Sequence, residues 1–394
     1  MNSKTIGHPE ILKNLNKYQM LNLIREDGPL SRTEIARQTR LGWGTITKYA
    51  AELLDEQAIL ETFEKANKGQ GRRAKKLTVN PDKGWIVGVE LGSYATRIIV
   101  VDFSGRIVYR TYLLTNSADG RQEVLETLSQ RIAESIDKAG CSLDSIIGMC
   151  VGAVGQVDHT EGCVLKTANF SDFNDVPLRD YLSEEFRCPV YVEQAQLVIT
   201  LGEMWRGGGK GVSDFICLTL GNGIGSGIVS MGRLLRPYPF KGIGDIGHLT
   251  IDKNGPQCTC GNKGCLEAVA GGAALLRQLR AISPDITFEK IESNPALQSS
   301  EIRRIIREAG VSIATALTSA IQIYHPEKVI VSGGLTKLGD PLMSPIQKEI
   351  EARLPIRKFD VSHLEITQLG DWAGALGAAR FVWEETFTHK VEYV

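Results

Sequence analysis

Phe215-Ile-Cys-Leu-Thr-Leu-Gly221-Asn-Gly223-Ile-Gly225-Ser-Gly227-Ile-Val-Ser230 is an apolar run, a glycine-rich turn and a second apolar run. It reads as strand, tight turn and strand. The chain carries an earlier copy of this pattern. Trp85-Ile-Val-Gly-Val-Glu90-Leu-Gly92 is again a strand opening into a glycine turn, and Arg97-Ile-Ile-Val-Val-Asp102 is the strand that leaves it. Arg106-Ile-Val-Tyr109 begins a third strand, a helix is expected across 121–139, and Ile146-Ile-Gly-Met-Cys-Val-Gly152 reads as a further buried strand. The order βββαβα is expected to recur after Phe215. Such a duplication predicts two α/β lobes around a cleft. Glycines at the strand ends let the backbone come close to a ligand there.

Ten residues after His248 the chain reads Cys258-Thr-Cys260-Gly-Asn-Lys-Gly-Cys265-Leu-Glu267. Three thiols and one imidazole can close a tetrahedral zinc site with no open position, which makes the ion structural. Gly261 and Gly264 allow the loop to fold back, so that Cys265 reaches the ion held by Cys258 and Cys260. The expected zinc loop is 248–267, with His248, Cys258, Cys260 and Cys265 as ligands. Cys141, Cys150, Cys163, Cys188 and Cys217 have no metal-type spacing and read as ordinary thiols.

The N-terminal 80 residues follow a different pattern. Ile11, Leu12, Leu15, Tyr18, Leu21 and Ile24 recur at helical spacing until Asp27-Gly28-Pro29 stops them. Ser31, with Glu34 three residues on, forms a capping box for a second helix ending near Thr39. After the turn Arg40-Leu41-Gly42, a third helix from Trp43 to Glu56 buries Ile46, Ala50, Leu53 and Leu54. Helix, tight turn and helix predict a helix-turn-helix whose second member enters the major groove. Trp43, Thr45, Thr47 and Lys48 stand near the start of that helix, with Lys48 suited to phosphate and the others to base edges. Residues 59–63 and 76–79 read as the strands of a wing. Its tip, Lys68-Gly-Gln-Gly-Arg72-Arg73-Ala-Lys75-Lys76, presents Arg72 and Arg73 to phosphate or the minor groove.

Charge follows the same division. Residues 1–80 hold 14 Lys and Arg against 9 Asp and Glu, while the remainder holds 31 against 37. A basic head on an acidic body fits a polyanion bound by the head alone. The 42% hydrophobic and 23% charged content is that of a soluble globular chain, and 394 residues allow two or three domains. No apolar run approaches a membrane span, and no signal-peptide layout opens the chain. Eight cysteines without an export signal point to a reducing compartment, the cytoplasm.

Gly152-Ala-Val-Gly155-Gln-Val-Asp158, Leu220-Gly-Asn-Gly-Ile-Gly225, Gly244-Asp-Ile-Gly-His248, the Cys258 to Glu267 motif and Val331-Ser-Gly-Gly334-Leu together resemble the ROK family of repressors, open reading frames and sugar kinases. The resemblance covers essentially the whole chain. It implies a two-lobed actin/hexokinase-like (ribonuclease H-like) fold, a zinc ion, a sugar cleft between the lobes, and a homodimer or homotetramer. The family's sugar ligands map onto Gln194, Asp245, His248 and Glu267, with Asn169 as a further contact.

The departures from the kinase pattern set the functional expectation. The family's kinases open their first phosphate loop with Asp-x-Gly-Gly-Thr, where this chain has Glu90-Leu-Gly92-Ser93-Tyr94. They carry Glu-Asn-Asp-Ala-Asn before Leu-Gly-Glu, and the Asp is the general base. Here Glu193-Gln194-Ala195-Gln196-Leu197 precedes Leu201-Gly-Glu203, so Ala195 stands at the base position and no catalytic residue is expected. Loss of a positioned base removes about 10² to 10⁴ of rate. Read as a strand, this stretch turns Glu193 away from the face that Gln194 presents.

The expected organisation is a winged helix-turn-helix over 1–80 and an effector-binding, oligomerising body over 81–394. Its lobes span about 81–195 plus the C-terminal helix, and about 196–375. The leading reading is a sugar-responsive repressor of sugar-metabolism genes that binds a pseudo-palindromic duplex operator and has no kinase activity. A ROK-type sugar kinase and an effector-independent DNA-binding scaffold are the alternatives.

Overall fold

The structure, a computed structural model, describes residues 9–63, 75–115, 119–167, 172–236, 244–287, 291, 294–354 and 359–388. The chain opens with three helices, α1 (Pro9–Asp27), α2 (Arg32–Thr39) and α3 (Trp43–Asp55), and an antiparallel pair, β1 (Ile59–Phe63) and β2 (Lys75–Val79). Ser31 caps α2. Its backbone N–H donates to the Glu34 carboxylate at 2.7 Å, and its hydroxyl accepts from the Glu34 N–H at 3.2 Å. Arg40 takes a left-handed conformation at the end of α2, which turns the chain into α3. Leu21, Ile24, Ile35, Ile46 and Leu53 fill the space between the helices.

The first lobe runs β3 (Trp85–Leu91), β4 (Ala95–Asp102), β5 (Ile107–Leu114), α4 (Arg121–Lys138), β6 (Ile146–Ala153), the hairpin β7 (Gln156–Asp158) and β8 (Cys163–Lys166), α5 (Leu178–Phe186), β9 (Val190–Gln194) and α6 (Ala195–Arg206). The second runs β10 (Phe215–Leu220), β11 (Ile224–Ser230), β12 (Arg233–Leu234), α7 (Leu266–Ala270), α8 (Gly272–Arg280), α9 (Ser300–Tyr324), β13 (Lys328–Ser332), α10 (Asp340–Arg353), β14 (Leu364–Ile366) and α11 (Ala373–Thr388). The two main sheets share one topology, β5-β4-β3-β6-β9 and β12-β11-β10-β13-β14. In each, the first three strands are antiparallel and the last two join in parallel. The duplication seen in the sequence is therefore a duplication of topology. Central strands such as β4 are buried almost throughout because both faces are covered, whereas edge strand β5 alternates half-buried and exposed residues.

The closing helix of each lobe crosses to the other. α11 packs on β3, β4 and β6 of the first sheet, and α6 packs on β10 and β11 of the second. Where the two helices meet, Gly202 lies against the backbone of Ala373, and Gly377 against that of Val198; a Cβ at either glycine would collide. The end of β9 shapes the site. Residues 193–197 are not a continuous strand: Gln194 ends β9 in an extended conformation and caps α6, so Ala195 opens a helix. No helix of the described residues is long and apolar enough to cross a membrane.

Candidate functional site

A cavity of about 520 Å³ lies between the two sheets. Its walls are built by equivalent turns of the two lobes. The β3–β4 turn brings Gly92, Ser93 and Tyr94, and the β10–β11 turn brings Gly221, Asn222 and Gly223. Gln194, Asp245, His248 and Glu267 all line one part of it. Glu267, on α7, accepts the Ile224 N–H at 2.9 Å. A Cβ at residue 223 would meet the Glu267 carboxylate and displace it from this position. Gln194 accepts a hydrogen bond from the Gln196 amide at 3.1 Å, which orients the start of α6. Asp245 is exposed toward solvent and sits where the chain enters the turn Ile246–His248. Carboxylates and amides grouped in this way suit vicinal hydroxyls, because each carboxylate accepts several hydrogen bonds.

Ala195 lines the same wall and offers only a methyl group. Glu193, two residues earlier, is 5% exposed and is not among the cavity-lining residues. Burial raises its carboxyl above the usual range, and the Arg236 guanidinium opposes that shift. Glu193 and Gln194 both lie in β9, where successive residues point to opposite faces, and of the two only Gln194 lines the cavity.

His248, Cys258, Cys260 and Cys265 converge at the mouth of the cavity, with their ligand atoms all within 4.8 Å of one another. Cys258 Sγ lies 3.7 Å from His248 Nδ1, and Cys260 Sγ lies 3.7 Å from Cys265 Sγ. Four ligands at ~2.3 Å around a tetrahedral ion stand about 3.8 Å apart, so the spacing fits a four-coordinate metal. The loop that achieves this needs its glycines. Gly261 and Gly264 have φ of +95° and +67°, and a Cβ on Gly264 would strike the Asp252 carbonyl. Burial and the neighbouring sulfurs push the Cys265 thiol up to about 12, while the Asn262 backbone amide lowers Cys260. A divalent cation is the group that lets all three sulfurs ionise together.

The other end of the cavity was only partly legible in the sequence. Tyr94 packs against the hydrophobic core of the second lobe. Ser93 Oγ accepts from the Asn222 side-chain amide at 3.0 Å, tying the two glycine turns together. Arg97 and Lys337, from opposite lobes, both reach Asp371 Oδ2 at 3.1 Å. Lys337, Asp371, Gln196 and Thr259 also line the cavity, and sequence reading singled out none of them. Asp371 had one signal, its place in Leu369-Gly-Asp just before the glycine- and alanine-rich start of α11.

Glu90 lies beneath Gly374, and desolvation pushes its carboxyl up to about 7, with Arg97 opposing and Asp371 assisting. The folded pKa exceeds the unfolded one, so stability falls as pH rises from about 4.5 to 7 and stays reduced above that. Glu90→Gln is expected to stabilise the fold at pH 8 by about 1–2 kcal/mol, once cavity water is allowed for. At pH 5 the two proteins should melt together. Thermal melts at both pH values check this, and equal melting temperatures at pH 8 count against a raised Glu90.

The residues expected to meet DNA divide into described and undescribed. On α3, Trp43 is 57% exposed, Thr47 and Lys48 are exposed, and Thr45 is half-buried. The Thr47 hydroxyl donates to the Trp43 carbonyl at 2.9 Å. Arg72, Arg73 and Asn169 lie outside the described residues.

The model of the ROK family matches residues 86–385. A xylose repressor of Caldicellulosiruptor bescii is 30% identical over 96% of this chain and 97% of its own length. A glucokinase of Halalkalibacterium halodurans is 31% identical over 76% of this chain and 96% of its own. Among solved structures, a ROK family transcriptional regulator described as a homolog of the E. coli MLC protein superposes with a TM-score of 0.79 at 24% identity, covering 96% of this chain and 97% of that one. A ROK family glucokinase from Streptomyces griseus, in complex with glucose and AMPPNP, gives 0.66 at 27% identity over 76% of this chain and 99% of its own. The α/β body thus has the fold shared by these regulators and sugar kinases, and the chain belongs to the ROK family.

Proposed function

We propose that the chain is a sugar-responsive transcriptional repressor without kinase activity. The observation that carries this reading is the state of the cleft. The sugar-facing wall keeps Gln194, Asp245, His248 and Glu267, while Ala195 occupies the position of the family's general base. A site that retains hydroxyl acceptors but lacks a base can bind a sugar without transforming it. Two further facts support the reading. The matching repressor covers 96% of this chain, whereas the matching glucokinase covers 76% of it. The N-terminal segment has the helix, turn, helix and strand-pair order of a winged helix-turn-helix, with Trp43, Thr45, Thr47 and Lys48 on the helix assigned to the major groove. Arg72 and Arg73 are assigned to phosphate or the minor groove.

The metal is zinc and structural, held by His248 through Nδ1 and by Cys258, Cys260 and Cys265. It fixes the loop that carries His248 and Glu267 to the sugar. The effector is a pentose, a derivatised sugar or a sugar phosphate, because Ala195 leaves a terminal hydroxymethyl without its acceptor. Relatives named xylose repressors agree with this choice. A symmetric dimer or tetramer places two heads on a pseudo-palindromic site.

The test measures binding to duplex DNA from upstream of the chain's own coding sequence, against a random duplex, with and without a panel of pentoses, hexoses and amino sugars. Tight binding to the upstream duplex, weakened about tenfold or more by one pentose, is the expected result. Equal affinity for both duplexes, indifferent to every sugar, would reject the reading.

A further inference from the structure

A buried cation lies at the centre of the contact between the head and the body. Arg25, on α1, has a side chain only 2% exposed. Its guanidinium carbon lies 4.1 Å from the ring centroid of Trp383 and 5.2 Å from that of Trp205. Arg25 also donates to Asn22 Oδ1 at 2.9 Å and pairs with Glu26 at 3.1 Å. Its Nε makes no hydrogen bond among the described residues. Glu26 in turn accepts from Trp205 Nε1 at 2.9 Å and from Lys210 Nζ at 3.2 Å. From α11, Arg380 reaches Asn22 Oδ1 at 3.1 Å and the Tyr18 hydroxyl at 3.2 Å. Met20, Leu21 and Ile24 of the head belong to the same hydrophobic core as Phe103, Trp205 and Trp383 of the body.

The two indoles come from different helices with different supports. Trp205 is on α6, which packs most heavily on α11 and also touches β10 and β11 of the second lobe and β6 and β9 of the first. Trp383 is on α11, which packs on the first lobe's β3, β4 and β6. Both helices start in the cavity wall, α6 with Ala195 and Gln196, α11 with Ala373 and Gly374. α6 is 12 residues, about 18 Å, from the sugar-facing wall to its end beside the head. Between them the helices touch backbone to backbone at Gly202 and Gly377. A change in the angle between the lobes would reach the two indoles through the contact of α6 with α11, whose relative tilt sets the separation of Trp205 and Trp383. A guanidinium held between two ring faces is sensitive to that separation, because cation–π attraction needs the cation over the ring within ~6 Å.

We infer that the Arg25–Trp205–Trp383 clamp, with Glu26 on the Trp205 indole, is the coupler through which cleft occupancy sets the position of the DNA-binding head. This deepens the proposed function and rests on it for the identity of the two linked sites. Ligand occupancy shifts the head only if the lobes are arranged differently with and without the sugar, and the clamp is the element that differs. The buried, incompletely bonded cation makes docking reversible, since its desolvation offsets much of what the contacts supply.

The experiment compares operator affinity with and without D-xylose for the full-length wild type, Arg25→Ala and Glu26→Gln, with D-xylose affinity read separately by calorimetry. The ratio of operator affinities is expected to fall from about tenfold or more in the wild type to about twofold or less in Arg25→Ala. D-xylose affinity itself should stay within about threefold, because Arg25 does not touch the cavity. Glu26→Gln keeps the side-chain size and should lose most of the ratio as well, which covers the case in which Arg25→Ala does not fold. A wild-type ratio retained in both variants overturns the inference and leaves the proposed function standing. A wild-type ratio of one removes the proposed pentose response instead. The clamp is then judged without sugar: an operator affinity in Arg25→Ala that matches the wild type overturns it, and a change of about fivefold or more supports it.

Discussion

Cys260→Ala is expected to lower the content of the proposed zinc and, with it, to remove most of the proposed sugar affinity. Cys260 is exposed, whereas Cys258 and Cys265 are buried, so the substitution removes a ligand without opening a core cavity. Zinc binding to such closed sites is worth about 10–16 kcal/mol in small folded units, and a three-ligand remnant keeps only part of that. The consequence reaches the cleft through the backbone. Thr250 bridges to Cys265, Leu266 N–H donates to the Leu249 carbonyl at 2.9 Å, and Glu267 follows two residues after Cys265. Releasing the ion frees both ends of this loop, and with them the imidazole of His248 and the carboxylate of Glu267. Sugar affinity should fall by about 100-fold or more, while the N-terminal helices remain folded. Metal analysis of untagged protein and calorimetry with the responsive sugar check this. Wild-type protein with far less than one zinc per chain, or a variant that binds sugar normally, would refute it.

Some features were legible in the sequence because they depend on local chemistry. The capping box needs only Ser31 and Glu34 at the right spacing, and it forms. The fold-back at Gly261 and Gly264 needs only residues without a Cβ, and both take positive φ. The duplicated sheets were legible because a strand buried on both faces reads as a continuous apolar run, and the two glycine turns mark equivalent places. What stayed hidden depends on contacts distant in sequence. Nothing near Arg97 or Lys337 announces that both will meet at Asp371. Nothing near Arg25 announces two indoles at positions 205 and 383. The switch at 194–195 was not legible either: Val190-Tyr-Val-Glu-Gln194 is a clear strand, and the residues after it suit a helix as well as a strand.

Sugar-dependent ATP turnover is expected to stay at background with glucose, xylose, ribose and N-acetylglucosamine, and Ala195→Asp is expected not to restore it. Two lesions in different parts of the cleft lead to this. At the sugar end, Ala195 has no group to accept a proton, which alone removes about 10² to 10⁴ of rate. Glu193 does not substitute for it, being buried outside the cavity lining, with Arg236 rather than the sugar wall as its charge partner. Glu267 is held by the Ile224 amide at the start of β11, within its own lobe. At the phosphate end, the Tyr94 ring crosses to the second lobe's core, and Ser93 and Asn222 are hydrogen-bonded to each other. Phosphoryl transfer relies on positioning and on backbone and side-chain donors aimed at the phosphates. Here the two turns that would supply those donors hold one another. The cations nearest them, Arg97 and Lys337, are shared by Asp371. Restoring the carboxylate at 195 repairs the first lesion and leaves the second, so Ala195→Asp should bind sugar yet release no ADP above a sugar-free control. The pair Ala195→Asp with Tyr94→Thr is the first combination expected to show turnover, because it returns both the base and the small hydroxyl. ADP release by the wild type with any one of these sugars would mean that the cleft is a working active site and that the head reports on catalysis rather than on binding.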